Sequence, residues 1–248
     1  MPIPHRFRHA VAVATALSCL SAAAELPRPA VFLPISKSVV RVMAAKEGGG
    51  VSVGSGVTVA PSIVATSCHI IRDAGEIRIS GAGGTWDVDA EQADQWRDVC
   101  LLRVPSWTGA PVDLAPPAST PQAGATVVAL GFTGGAAIKP NFGHIRALHP
   151  FEDSHIIEAD AAFNSGSSGG GLFAADGKLI GLLTFRLRNS TESFYSVPVE
   201  WVRERLQSEG DWLQVRPLPE GAPFWQGAAK DLPAFMRTTE LASSPPGA

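Results

Sequence analysis

Three short stretches of this sequence carry side chains that could act together on an acyl bond. NSGSSGGGLF, residues 164–173, sets Ser165, Ser167 and Ser168 among glycines, VATSCHII brings His69, and WRDVCLLRV brings Asp98. A serine hydroxyl is a poor nucleophile at neutral pH. It needs an imidazole within hydrogen-bond reach, a carboxylate behind that imidazole, and N–H donors for the oxygen on which negative charge develops. A glycine-rich loop suits the last requirement, because glycines let successive amides turn towards one spot. Taken singly, each stretch has a plainer reading. Gly/Ser clusters are mostly hairpin loops or linkers, a histidine ending an apolar strand is mostly a half-buried residue, and an aspartate ahead of a strand is mostly a turn residue.

The elements that must position these residues are short apolar runs broken by Gly, Pro, Asn and Asp, with little long helical periodicity, which reads as an all-β chain. Strands are expected near 38–44, 51–59, 62–68, 76–80, 85–91 and 99–104, and a second set near 125–132, 143–149, 155–160, 178–185 and 194–199. On this reading His69 ends a strand and Asp98 opens one. Two sets of about six strands suggest two β-barrels or sandwiches. Residues 105–124, rich in Pro and small residues, separate them. The expected division is an N-terminal unit over 25–110, a linker over 111–124 and a C-terminal unit over 125–210. Val199, Val202 and Leu206 recur at helical spacing after Pro198, with Gly210 as a stop, so one helix should close the second unit. Residues 211–248 form a Pro- and Trp-containing tail in which FWQGAAKDLPAFMRTTELA could hold a short helix, and the final SSPPGA reads as disordered.

Type, order and local frame together resemble a known family. The frames TSCHI, DVCLL and GSSGG, in the order His, Asp, Ser and separated by 29 and 70 residues, resemble trypsin-like serine peptidases of the chymotrypsin fold, nearest the exported bacterial HtrA (DegP) branch. The resemblance covers roughly residues 36–208 and implies two six-stranded antiparallel β-barrels with a C-terminal helix. It assigns Ser168 as nucleophile, His69 as base and Asp98 as the carboxylate that orients it, the roles of the general triad template. It places the oxyanion hole at Gly166, Ser167 and Ser168, and bounds the primary pocket with Ala162, Phe163, Thr184, Phe185 and Arg186. With no acid among those five, small or medium apolar side chains should be preferred over Lys or Arg. The implied activity is cofactor-free, metal-free endopeptidase action on protein or peptide substrates. Ser167 stands where relatives carry Asn or Asp, Gly171 stands where they carry Pro, and no room remains after the second barrel for the PDZ module common among HtrA proteins. A protease-like binding module that has lost turnover is the alternative. An esterase is a weaker one, because the strand-turn-helix G-x-S-x-G elbow is absent.

Composition fits this picture. The chain has 248 residues, 45% hydrophobic and 17% charged, enough for one large domain or two small ones. A net charge of −3 and a pI near 6.1 supply no basic stripe, which argues against a nucleic-acid partner. His5, Arg6, Arg8 and His9 precede the apolar AVAVATALSCLSAAA, an export leader over residues 1–24 with cleavage after Ala24. That run is short for a membrane anchor, so a periplasmic or secreted protein is expected. Cys19 falls in the leader, leaving Cys68 and Cys100 as either a disulfide or two buried thiols. If the resemblance holds, the triad brings these two together. A disulfide is then expected, with Cα atoms within about 7 Å. His144, His149 and His155 lack the close spacing of a zinc set and read as structural.

Overall fold

The computed structural model describes residues 29–241 except 82, 118, 120, 135, 188–191, 209 and 211, so the expected leader over residues 1–24 and the final SSPPGA lie outside the described residues. A helix α1 (Pro29–Ser38) leads into β1 (Val39–Lys46), β2 (Val51–Ala60) and β3 (Ile63–Thr66), followed by a single helical turn α2 (Cys68–Ile71). Then come β4 (Ala74–Gly81), β5 (Gly84–Asp87), β6 (Ala90–Asp94) and β7 (Val99–Arg103). The second unit contains β8 (Thr126–Thr133), β9 (Ala137–Phe151), β10 (Ser154–Ala159), β11 (Gly171–Ala174), β12 (Leu179–Arg186) and β13 (Phe194–Pro198), and passes directly into α3 (Val199–Gln207). The tail adds β14 (Leu213–Gln214), a 3-10 turn at Phe224–Gln226, and α4 (Ala234–Leu241).

The all-β expectation is met, with two antiparallel β units and a closing helix. In the second unit six strands close into a barrel in the order β10-β13-β12-β11-β8-β9. The first unit is a curled eight-stranded sheet, β14-β6-β7-β3-β2-β1-β4-β5, whose β6 edge is covered by the tail strand. The expected strand 85–91 is in fact two, because the chain changes partner at a corner. Trp86 pairs with β4, the Val88 N–H still reaches Ile77, and the Asp89 N–H already reaches Arg103 on β7. The run Gly171–Ala174, which follows the serine loop directly, is a further strand that was not expected.

Alternation decides the cores. On β4, Ile77 and Ile79 point inward while Glu76 and Arg78 face water, the period-2 signature of a half-covered sheet. On β12 every residue from Leu179 to Phe185 is buried, since α3 packs on this strand as well. Val199 and Val202 of α3 are buried as the helical spacing predicted, and Trp201 beside them is 2% exposed. The connector and a charged turn help to join the units. The connector bonds to both, through Val112 N–H to the Thr58 carbonyl and Ala115 N–H to the Leu179 carbonyl. Arg97, in the β6–β7 turn, pairs with Glu152 at 2.7 Å, Asp153 at 3.1 Å and Glu204 at 2.6 Å, and lies over the Trp201 ring.

Candidate active site

His69 does not end a strand; it occupies the helical turn α2, two residues after its N-cap Ser67. The turn lifts the imidazole off the sheet, where it stays 17% exposed. Asp98 precedes β7 in the left-handed region, φ 59°, a conformation that aspartate tolerates better than most residues. Its carboxylate is fully buried and grips His69 twice, accepting the backbone N–H on Oδ1 at 2.8 Å and meeting Nδ1 on Oδ2 at 2.7 Å. Behind them Cys68 and Cys100 form a disulfide with Cα atoms 5.0 Å apart. The bond ties the turn that bears the histidine to the strand that follows the aspartate.

The serine loop is shaped by glycine. The Ser167 N–H closes a turn on the Asn164 carbonyl at 2.9 Å, with Gly166 at its third position and φ 91°, as a type II turn requires. The Ser165 carbonyl accepts from Gly134 N–H and the Ser167 carbonyl from Gly170 N–H. In a trans peptide the N–H opposes the C=O, so the Gly166 and Ser168 amides are directed to the other side. Neither has a protein acceptor among the described residues. Ser167 differs from these two: its amide is committed to the turn, its side chain meets the Thr133 hydroxyl at 3.2 Å, and it is 1% exposed. It serves as a turn former and offers no free amide.

Ser168 is partly exposed. Its hydroxyl donates to the Thr184 carbonyl at 3.3 Å, and no hydrogen bond joins it to His69. Of the residues expected to bound the primary pocket, Ala162 and Arg186 are exposed, whereas Phe163, Thr184 and Phe185 are buried. Phe163 packs on Phe194, and the Thr184 hydroxyl is committed to the Leu182 carbonyl. Among the described residues no group of three or more His, Cys, Asp or Glu side chains is placed to hold a metal ion. His144, His149 and His155 lie on β9 and β10, and His149 pairs with Glu158 at 2.7 Å. That bond holds the Glu158 carboxyl below its ordinary range.

Two residues of this site lie outside the three stretches that the sequence brings forward. Ser55, fully buried on β2, donates its amide to the Ser168 carbonyl at 2.8 Å and its hydroxyl to the Gly166 carbonyl at 2.7 Å, and accepts the Phe132 amide at 2.8 Å. Its own carbonyl accepts the Thr66 hydroxyl. Only its place between two glycines in the apolar run VSVGSGVTV marked it. Trp225, in the tail, donates its indole N–H to Asp98 Oδ2 at 3.3 Å. Nothing local in the sequence points from the tail to Asp98.

A family profile described as "Trypsin-like peptidase domain" matches residues 54–182, more than half of the chain. The chain belongs to that family. It is similar to serine protease HTRA1B of Danio rerio, 26% identical over 172 residues that cover 65% of this chain and 36% of that protein. It is also similar to anti-sigma-I factor RsgI9 of Acetivibrio thermocellus, 29% identical over 184 residues, 73% of this chain and 25% of that protein. Among solved structures, the active form of the Rv3671c protease from M. tuberculosis superposes with a TM-score of 0.69 at 22% identity, covering 80% of this chain and 92% of that one. Its fold is therefore shared. The chain spans between 25% and 40% of the length of the curated relatives it matches, several of which are HtrA serine proteases.

Proposed function

We propose that this domain is an exported serine endopeptidase in which Ser168 is the nucleophile, His69 the general base and Asp98 its orienting carboxylate. The observation that carries the reading is the double grip of a fully buried Asp98 carboxylate on His69, through the backbone N–H and Nδ1. That grip holds the proton on Nδ1, which keeps Nε2 free to take one. In the reaction the Ser168 Oγ–H proton passes to Nε2 as Oγ bonds to the scissile carbonyl carbon. The resulting oxyanion takes the unpartnered amides of Gly166 and Ser168, and collapse breaks the C–N bond as Nε2 returns its proton to the leaving amine. Water repeats the sequence on the acyl-enzyme. To begin, the Ser168 hydroxyl must leave the Thr184 carbonyl.

Several finer parts of the reading belong with it. The absence of an acid from Ala162, Phe163, Thr184, Phe185 and Arg186 supports small or medium apolar side chains at the primary position. The leader over residues 1–24 supports export, and the disulfide suits an oxidising compartment. Residues 111–124 act as the linker between the units. Among the described residues no helix is long and apolar enough to cross a membrane.

A second reading, a protease-like binding module, draws on one observation: the Ser168 hydroxyl is bonded to Thr184 and not to His69. Fluorophosphonate labelling of the disulfide-bonded protein beside a Ser168→Ala control separates the two. Labelling confined to the unmutated protein supports the peptidase. No labelling of folded protein overturns it in favour of the binding module.

A further inference from the structure

We infer that Trp225 is a positioning residue for the Asp98–His69 pair, supplied to the site by the C-terminal tail. A buried, ionised carboxylate needs donors on its oxygens. Asp98 Oδ1 has the His69 backbone N–H, and Oδ2 has two neighbours, His69 Nδ1 at 2.7 Å and the Trp225 indole N–H at 3.3 Å. An indole nitrogen donates only. It therefore supports the charge on Oδ2 without competing for the imidazole proton, and a second donor on that oxygen restricts rotation of the carboxylate.

The ring does the second half of the work. It meets the His69 imidazole edge-on at 5.3 Å, with planes 86° apart, and stacks on Phe185 at 5.1 Å, 12° from parallel. Phe185 follows Thr184, whose carbonyl holds the Ser168 hydroxyl. One tail residue thus touches the carboxylate, the imidazole and the strand beneath the serine, and covers the Asp98–His69 bond with aromatic surface.

The tail is fastened on both sides of Trp225. Phe224, 1% exposed, packs on Phe151 at 4.5 Å, and its amide donates to the Trp96 carbonyl at 3.0 Å. On the other side the Gln226 side chain accepts from Arg72 at 3.1 Å. The indole is consequently delivered by an anchored turn.

The inference rests on the proposed roles of His69 and Asp98, but its test need not depend on turnover. Nuclear magnetic resonance of the full, disulfide-bonded chain with 15N-labelled histidine follows the His69 Nδ1 proton in the unmutated protein, Trp225→Phe, Trp225→Ala and Gln226→Ala. Trp225→Phe keeps the ring and loses the N–H, so the proton stays protected while its resonance moves. Trp225→Ala removes the cover, and exchange with water accelerates by about tenfold or more. Gln226→Ala cuts the Arg72 bond alone and leaves the proton as it was. Three results would overturn the inference: an Nδ1 proton already in fast exchange in the unmutated protein, a Trp225→Ala rate within about twofold of it, or Gln226→Ala reproducing Trp225→Ala. Fluorophosphonate labelling of the same samples reports on the peptidase reading separately, so either idea can fail without the other.

Discussion

Replacing Ser55 with alanine removes one hydroxyl from a fully buried position and leaves two groups of the serine loop's surroundings without a partner. The Phe132 amide loses its acceptor and the Gly166 carbonyl loses its donor, at 2.8 and 2.7 Å respectively. Each such loss costs about 1–2 kcal/mol when the orphaned group stays out of reach of water. Gly166 is partly exposed, so its carbonyl can recover some hydration, and the expected loss of stability is about 2–3 kcal/mol. The amide of Ser55 still holds the Ser168 carbonyl, so the nucleophile itself should remain in place. What loosens is the Gly166–Ser167 peptide and, across the Gly166 Cα, the adjoining Gly166 N–H proposed as an oxyanion donor. Losing an oxyanion donor outright costs roughly 100- to 1,000-fold in rate. A donor freed to wander should cost about 10- to 100-fold. Urea unfolding gives the first number, and the rate of fluorophosphonate labelling of Ser168 gives the second. A Ser55→Ala protein that unfolds within about 0.5 kcal/mol of the original and labels within about twofold would show that the hydroxyl neither supports the loop nor steers Gly166.

Gly169 has φ 81°, and a Cβ there would run into the Ser55 carbonyl oxygen, the Thr66 hydroxyl and the Ser67 amide, so Gly169→Ala should abolish labelling and lower the unfolding midpoint. Serine in place of both Cys68 and Cys100 should cost about 3–4 kcal/mol on the chain-entropy account of a loop spanning 32 residues, read by denaturant unfolding against the oxidised protein. Glu91, 2% exposed where the tail strand joins β6, is pushed up to about 7 by burial, against the opposing pull of the Arg216 backbone N–H and charge. Its folded value lies above the ordinary 4.5, so the folded state holds the proton more tightly. The stability this contributes is complete below about 4.5 and is lost as pH rises through about 7. Denaturation at pH 5 and pH 8 should show that loss, and Glu91→Gln should show it less; an unchanged pH dependence in the variant would rule Glu91 out as its source.

Much of the architecture was legible because strands announce themselves locally, while the errors arose where the deciding contact is distant. The runs at β1, β2, β7, β8 and β12 combine branched or apolar residues with glycine or proline punctuation, and their positions were found within a few residues. β11 was missed because its glycine start continues the glycine-rich serine loop, so no break marks where turning ends and pairing begins. The corner at Val88 and Asp89 was invisible for a similar reason: the residues read as extended throughout, and only the exchange of partner strands divides them. α2 is one turn long, too short for any period to show, so His69 read as a strand end. α1 contains Pro34, which reads locally as a breaker. At the site, His69, Asp98 and Ser168 each sit in a frame that resembles a known motif. Trp225 lies 127 residues from Asp98. Its place is set by Phe224, Arg72 and Phe185 around it, and no local pattern encodes that.

The position of Arg97 bears on how separable the two halves are. Its side chain docks on Glu152, Asp153 and Glu204 of the second unit, while the carboxylate of the very next residue is bonded to His69. Assembly of the halves and alignment of the proposed base are therefore built into one turn of five residues, Asp94 to Asp98. A chimera that takes its first unit from this chain and its second from a relative would carry the aspartate across but lose the three acids that seat its neighbour. Such an exchange should yield two folded halves with a misaligned imidazole. In this molecule the unit of inheritance for function is the seam, with contributions from both sides, and neither unit is a transferable part by itself.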